Sequence, residues 1–320
     1  MAETDTGNGD GKRARMANWK LTLAYDGTDY HGWQVQPGQV TVQGELQLAL
    51  QRITGESPLP QGSGRTDAGV HALGQVASFP LAAPIPAENL QRALNRILPV
   101  SIRVLSACPA AEGFHARHSA RAKTYEYRID RGALCSPFRV RYVHACRWPL
   151  ELAAMQAAAQ TVVGRHDFRS FAASDPELRE RGRGTGDEEA EPEDGAMVGA
   201  ATATPLRTPP ETTLGTTVRE IFSSQWAEDD GHLLVYRVRG SGFLHHMVRN
   251  LVGTMLEIGR GQFARDAMGG ILAARSRAAA GPTAPACGLF LHSVEYDEAD
   301  SARPGDARPG DAQPRTEELR

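Results

Sequence analysis

The sequence predicts an α+β fold in which a mostly antiparallel sheet is flanked by helices. Stretches of alternating apolar and polar residues, typical of half-buried strands, are interleaved with stretches of helical spacing. Strands and helices occur in a similar order in each half of the chain, on either side of a break near residues 116–122. With 320 residues the chain is long enough for two domains. We therefore expect two similar α/β sandwiches, 17–118 and 119–297, which share one sheet.

In the first half, strand 19–25 alternates through Leu21, Leu23 and Tyr25 and stops at the turn Asp26-Gly27. The remaining elements of this half are predicted in the same way, strands from alternation and helices from helical spacing. They are a helix at 42–53, a strand that runs from Val70 to Phe79, a helix that begins at Pro86 and a strand at 102–105.

The second half repeats this scheme with more elements. We expect strands at 124–129, 218–226, 232–239 and 289–296, and helices at 151–163, 244–258 and 263–275.

Three segments have the composition of disordered chain: an N-terminal tail (1–16), an internal acidic insertion (174–214) and a C-terminal tail (298–320). Residues 1–15, 175–195 and 297–320 hold 10 of the 35 basic and 19 of the 38 acidic residues. The rest of the chain thus carries 25 bases against 19 acids, and only three residues of the chain are lysines. An arginine-rich, basic body indicates a polyanionic partner, although a codon bias towards arginine would give the same composition.

The sequence also indicates a compartment. No apolar run approaches the roughly 18 residues that a membrane span needs, and Met1 to Arg15 lack the apolar centre of a signal peptide. The four cysteines are far apart in the sequence, which argues against a disulfide framework or a zinc knuckle. We expect a cytoplasmic protein.

The loop from Gly62 to His71 is the first candidate site, because it places Asp67 between glycines and two residues after Arg65. Glycines allow positive φ angles and the close approach of a ligand. An aspartate near a cation stays ionised at neutral pH. An ordinary turn built on Asp and Gly is the alternative, and the loop alone does not decide between the two.

Two further segments offer partners for this loop. Alternation along the strand that begins at Lys123 places Tyr125 and Tyr127 on one face, as a platform for an unstacked base or as a pair of core aromatics. In the segment 242–250, helical spacing would place His246, Arg249 and Asn250 on one face, and a buried Arg249 would need a carboxylate such as Asp67.

Metal binding is not expected. Neighbouring residues on a helix, such as His245 and His246, point about 100° apart. The pair His115 and His118 lacks a carboxylate or cysteine nearby in the sequence.

Five ordered motifs together resemble the TruA family of tRNA pseudouridine synthases, over about residues 19–173 and 216–296. They are Tyr25-Asp26-Gly27-Thr28 with Gly32-Trp33-Gln34; residues 64–72; Phe114-His115-Ala116-Arg117 with Lys123-Thr124-Tyr125-x-Tyr127; residues 243–253; and Gly288-Leu289-x-Leu291. The resemblance implies a pseudouridine synthase fold with ferredoxin-like or RRM-like halves. It also implies a homodimer without metal or cofactor, which converts uridine to pseudouridine at positions 38, 39 and 40 of the tRNA anticodon arm.

The resemblance also implies a role for each site residue. Asp67 is the catalytic carboxylate, which acts covalently or by promoting glycosidic cleavage. Tyr125 stacks on the flipped base and is the candidate for removing the C5 proton, while Arg249 pairs with Asp67. Arg65 opens the stem or holds the backbone, Leu289 forms a wall of the base pocket, and His71 is a substrate-binding residue. The insertion 174–214 departs from the family pattern.

Three other interpretations stay open at this stage. They are an RNA-binding protein of the same fold without catalysis, a synthase that modifies another uridine, and a glycosidase. The last requires a second carboxylate in a comparable loop, and we find none in the sequence.

Overall fold

The computed structural model describes residues 16–173, 216–229 and 231–297. Apart from Met16, the three segments predicted to be disordered lie outside these residues.

Ten strands and five α-helices make up this described part. The strands are β1 (Ala17–Tyr25), β2 (Gln61–Gly62), β3 (His71–Leu81), β4 (Ile102–Ala110), β5 (Ala122–Asp130), β6 (His144–Ala145), β7 (Gly164–Asp167), β8 (Val218–Asp229), β9 (Leu233–Gly240) and β10 (Leu289–Glu295). The helices are α1 (Val42–Thr54), α2 (Ala87–Ile97), α3 (Leu152–Thr161), α4 (Met247–Gly259) and α5 (Ala267–Ala274).

All ten strands belong to one sheet, in the order β4-β1-β3-β10-β5-β9-β8-β7, with β2 beside β3 and β6 beside β5. The pairs are antiparallel except for β5–β6 and β3–β10. In the β3–β10 pair, Phe290 lies opposite His71 and Leu291 opposite Ala72. The last strand of the described chain therefore joins the strands of the first half to those of the second. The predicted mixed α/β content and mostly antiparallel central sheet are confirmed.

The helices bury the apolar side of this sheet. On β1, Leu21 and Leu23 are fully buried while the residues between them are only partly covered, as alternation requires. Helix α2 packs on β4, and α3 packs on β8 and α4. The core formed in this way is continuous across the described residues, from Trp19 to Leu291. Burial of this apolar surface is the main stabilising contribution to the fold.

Local sequence explains where helices begin and end. The side chain of Thr41 accepts a hydrogen bond from the Gly44 amide at the start of α1, and Gly55, with φ of 76°, ends it in the left-handed conformation. The strands β2, β6 and β7 were not predicted, because two to four residues are too few to show a period. Among the described residues, no helix combines the length and the apolar character needed to cross a membrane.

Candidate active site

The loop between β2 and β3 is held on one side by β3. The Ser63 amide donates to the Val76 carbonyl (2.7 Å), and the Ser63 hydroxyl donates to Gln75 Oε1 (2.6 Å). Gln75 in turn donates through Nε2 to the Gly64 carbonyl (2.9 Å). Ser63 and Gln75 are fully buried, so these bonds are shielded from competing water. The start of the loop is therefore fixed relative to the sheet.

The other side of the loop is held by the segment after β1. The Trp33 amide donates to the Thr66 carbonyl (3.0 Å), and the Thr66 hydroxyl bonds to the Tyr25 hydroxyl (2.8 Å). Gly32 has φ of 84°, and a Cβ there would lie 2.5 Å from the Thr66 carbonyl oxygen. Only glycine satisfies both conditions without strain. This is the physical reason for a Gly-Trp pair beside the loop.

Asp67 receives three partners from the segment 245–249. Its Oδ2 lies 2.9 Å from Arg249 Nη1 and 3.3 Å from His246 Nε2, and its Oδ1 lies 3.3 Å from His245 Nε2. The predicted contact between Asp67 and Arg249 is therefore present. Arg249 is itself oriented by donating through Nε to the Ala284 carbonyl (2.8 Å).

The carboxyl of Asp67 is held in its ionised form. Its side chain is only 17% exposed, and this burial alone would raise its pKa. The hydrogen bond with His245, the charge that His246 carries in the acid range where Asp67 titrates, and the contact with Arg249 outweigh burial, so that the pKa of Asp67 lies below its ordinary value. The pKa of His246 is lowered, first by burial, so its ring is neutral near pH 7. The site thus combines an anionic carboxylate, a guanidinium and a neutral imidazole.

The two histidines correct the prediction for this segment. The helix was expected to begin at Leu244, but α4 begins at Met247, and His246 precedes it with φ of 59°. This left-handed turn brings the two rings together, with centroids 3.9 Å apart, and both rings reach Asp67. A non-glycine residue in this conformation costs about 1 kcal/mol or more, and helical spacing gave no signal of it.

Asn250 is also placed differently from the prediction. It does not share a site-facing surface with His246 and Arg249. Its Nδ2 donates to the Phe171 carbonyl (2.7 Å), and its Oδ1 accepts from Thr283 Oγ1 (2.7 Å). With the side chain fully buried, Asn250 ties α4 to the segment after α5.

The same turn changes the argument about metals. The expectation of no metal at His245 and His246 assumed a helical backbone, and that premise is wrong. Ligand atoms of Asp67, His245 and His246 all lie within 4.8 Å of one another, so these three groups could hold a divalent cation. However, the positively charged guanidinium of Arg249 already lies beside Asp67 Oδ2, and this pairing explains the position of the carboxylate without a metal ion.

Tyr125 lies beside this carboxylate. Its ring packs edge-on against Phe243, with centroids 5.0 Å apart, and it is 8% exposed. Burial is the first cause that raises the pKa of Tyr125, and the neighbouring Tyr25 phenol and Asp67 carboxylate raise it further, so the phenol of Tyr125 is neutral. Tyr127 is fully buried and donates to the Pro285 carbonyl (2.8 Å). The core interpretation thus holds for Tyr127, whereas Tyr125 borders the site.

The remaining residues expected at the site lie at different depths. Arg65 is exposed on the loop two residues before Asp67. Leu289 is 5% exposed at the start of β10, opposite Tyr127. His71 is 1% exposed and stacks on Phe290, with centroids 4.8 Å apart.

His71 has contacts that resemble those of a structural residue. Its Nδ1 accepts from the Gly27 amide (3.1 Å) and lies 3.2 Å from Asp26 Oδ1, and its Nε2 bonds to the Arg141 carbonyl (3.0 Å). Burial is the first cause of its lowered pKa. This geometry favours a structural role over the predicted contact with substrate.

Comparison with known proteins assigns the family. A sequence model described as tRNA pseudouridine synthase matches residues 22–119 and 196–297. The tRNA pseudouridine synthase A of Solibacter usitatus is 47% identical over 281 residues, which cover 88% of this chain and 100% of the relative. The enzymes of the same name from Moorella thermoacetica and Brevibacillus brevis are 44% and 40% identical, over 87% and 88% of this chain and 98% and 100% of the relatives.

The family match, the identity over nearly the full length of these relatives, and the carboxylate held beside Tyr125 agree with one another. The chain belongs to the tRNA pseudouridine synthase family, isomerases that act on uridine in tRNA.

Proposed function

We propose that this protein converts uridine to pseudouridine at positions 38, 39 and 40 of the tRNA anticodon arm, with Asp67 as the catalytic carboxylate. The observation that supports this most directly is the ionised Asp67, paired with Arg249 and bordered by Tyr125. The three positions come from the family resemblance.

The reaction exchanges one bond to the sugar for another. The bond between N1 and C1′ breaks, the uracil turns, and a bond forms between C5 and C1′. The proton at C5 leaves, and N1 takes up a proton, so nothing is gained or lost overall. The target nucleotide has to leave the stem for this to happen, because C1′ and C5 are inaccessible in a stacked base.

The residues of the site suit these steps. An ionised Asp67 can form a covalent bond with the nucleotide, or it can stabilise positive charge at C1′ as the bond to N1 breaks. Arg249 keeps the carboxylate ionised and fixes its direction. Tyr125 offers a ring on which the flipped base can stack. As a neutral phenol it would take the C5 proton only with a second group to pass it on.

The proposal includes finer assignments that rest on the resemblance. Arg65 contacts the RNA backbone or opens the stem, and Leu289 forms a wall of the base pocket. The protein is a cytoplasmic homodimer, and sedimentation equilibrium tests the dimer. The two parts of the chain, 17–118 and 119–297, are similar α/β sandwich domains of the ferredoxin or RRM type, which share the central sheet.

The test follows tritium release from tRNA labelled at uracil C5. We expect the parent protein to release the label and Asp67→Asn to release none. Asp167→Asn is the matched control, because Asp167 accepts a hydrogen bond from Thr217 and pairs with Arg275 outside the Asp67 site. Equal release by the parent and Asp67→Asn contradicts the role of Asp67. Release from uridines outside the anticodon arm contradicts the assigned positions, and binding of tRNA without release indicates an RNA-binding protein.

A further inference from the structure

A cluster of three cations lies next to the active site and is absent from the mechanism above. It consists of Arg117, in the turn before β5, Lys123 in β5, and Arg219 in β8; we call it the basic cluster. The sheet register places the two strand residues in the same part of the sheet. Lys123 lies opposite Gly240 of β9, and Gly240 lies opposite Ile221 of β8, two residues after Arg219.

No carboxylate among the described residues forms an ion pair with any member of the basic cluster. The charges instead act against each other. Burial, followed by the charges of Arg117 and Arg219, lowers the pKa of Lys123 to about 8. Burial and Arg117 likewise lower the pKa of Arg219. Lys123 and Arg219 are partly buried, and a partly buried charge without a neutralising partner is costly, so this arrangement suits a site that receives an anion.

Lys123 places the cluster beside the catalytic loop. Its Nζ donates to the Ser63 carbonyl (2.5 Å). A Cβ added to Gly64 would lie 3.4 Å from Lys123 Nζ and 3.8 Å from the Tyr125 hydroxyl. Lys123 Nζ and the Tyr125 hydroxyl therefore both lie close to the backbone of Gly64, three residues before Asp67.

Arg219 borders the same region from the other side. A Cβ on Gly242 would lie 3.8 Å from Arg219 Nε. Gly242 is followed directly by Phe243, which packs on Tyr125, and then by the two histidines that contact Asp67. Arg219 Nη1 donates to the carbonyls of Thr216 and Val218, which fixes the direction of its guanidinium.

We propose that the basic cluster binds the phosphodiester group next to the uridine that is flipped into the site. Ring stacking on Tyr125 would hold the base, and the cluster would hold the backbone from which that base has turned. RNA phosphates carry the negative charge that would neutralise the basic cluster, and arginine and lysine are their usual partners in proteins. This inference rests on the proposed function, because it requires RNA to occupy the Asp67 site.

The test uses an anticodon stem-loop RNA with one methylphosphonate linkage, which removes the charge of a single phosphate. The linkage is placed either 5′ or 3′ of the target uridine. The sugar beside this linkage carries a 2′-O-methyl group. Each RNA is compared with one that has the same 2′-O-methyl sugar but an ordinary phosphate. Dissociation constants are measured by fluorescence anisotropy, and single-turnover rates by tritium release.

We expect one of the two neutral linkages to weaken binding to the parent protein about tenfold or more, the usual effect of losing a charged hydrogen bond. In Arg219→Gln and Lys123→Met the same linkage should cost less than about twofold, because the partner is already absent. Arg117→Gln tests the third position of the cluster. The Arg117 side chain is exposed and forms no hydrogen bond with the described residues, which limits the risk of misfolding. Binding by each variant should also depend less steeply on salt concentration, by the amount expected for the loss of about one phosphate contact.

Arg52→Gln is the matched control, because it removes one exposed arginine from α1. It should leave the effect of the neutral linkage as large as in the parent. The inference is overturned if neither linkage weakens binding to the parent, or if the effect is the same in the cluster variants as in Arg52→Gln. A parent protein that does not isomerise the all-phosphate RNA contradicts the proposed function instead, so the two failures are distinguishable.

Discussion

Replacing Arg249 by methionine should raise the pH at which the enzyme loses activity on the acid side. Arg249 donates one charged hydrogen bond to Asp67 at 2.9 Å, and such bonds contribute about 1.5–3 kcal/mol. Because His245 and His246 still contact the carboxylate, only part of this is lost, and we expect the pKa of Asp67 to rise by about one unit. In the proposed mechanism activity requires the ionised carboxylate, so we expect the acid limb of kcat/KM to move upward by a similar amount.

Stability should change in the same variant. The lost bonds to Asp67 and to the Ala284 carbonyl together correspond to about 2–3 kcal/mol. The folded pKa of Asp67 lies below the unfolded value near 4, so its ionisation stabilises the fold above that pH and ceases to do so as the pH falls through the folded pKa. Arg249→Met should therefore reduce the free energy of unfolding at pH 7 and lose less stability on acidification than the parent.

The assay combines tritium release over about pH 3 to 8, a range that includes the acid limb of the parent, with thermal denaturation. Arg237→Met is the matched control, because it removes a partner of Glu126 (Nη2 to Oε2, 2.5 Å) and leaves Asp67 untouched. It should lower stability without moving the acid limb. An acid limb that stays in place in Arg249→Met, although stability falls, would refute the argument that Arg249 keeps Asp67 ionised.

Three further predictions concern single positions around the site. Gly32→Ala should lower both thermal stability and the single-turnover rate more than Gly38→Ala, because both glycines have positive φ but only Gly32 lies against Thr66; equal effects would refute the close-approach argument. His246→Asn, which tolerates the left-handed backbone, should keep stability within about 1 kcal/mol of the parent but shift the acid limb of activity upward, because one partner of Asp67 is lost; an unchanged pH profile would contradict this. Lys123→Met should raise the melting temperature at pH 7. The pKa of about 8 for Lys123 in the folded protein lies below the ordinary 10.5, so the charged lysine destabilises the fold at neutral pH. The difference in melting temperature between the variant and the parent should narrow as pH approaches 10.5, and a lower melting temperature of the variant at pH 7 would contradict this reasoning.

Local sequence was sufficient to predict most of the elements. Alternation in β1 and β5 and helical spacing in α1 each predicted the observed element to within about two residues at either end, because their apolar faces are buried in one core. The pairing of Arg249 with Asp67 was also expected, since a buried arginine needs an anion.

The contacts that complete the site could not be predicted in the same way. His246 adopts a left-handed conformation that a histidine does not indicate in advance, and this turn directs His245 and His246 at Asp67. The parallel pairing of β3 with β10 joins residues more than two hundred positions apart, and no local pattern reports it. Sequence reasoning therefore identified the carboxylate and its guanidinium but missed the imidazoles around them.

The central place of β10 has a consequence for synthesis on the ribosome. Among the described strands, β3, which follows the Asp67 loop, is joined to β5, which carries Tyr125, only through β10. β10 is the last described element to be translated. The first half can fold while the rest is being made, but Asp67 and Tyr125 reach their final relation only after residues 289–295 have left the exit tunnel. A nascent chain arrested before that point would be an inactive intermediate with an open sheet edge, a natural client for chaperones.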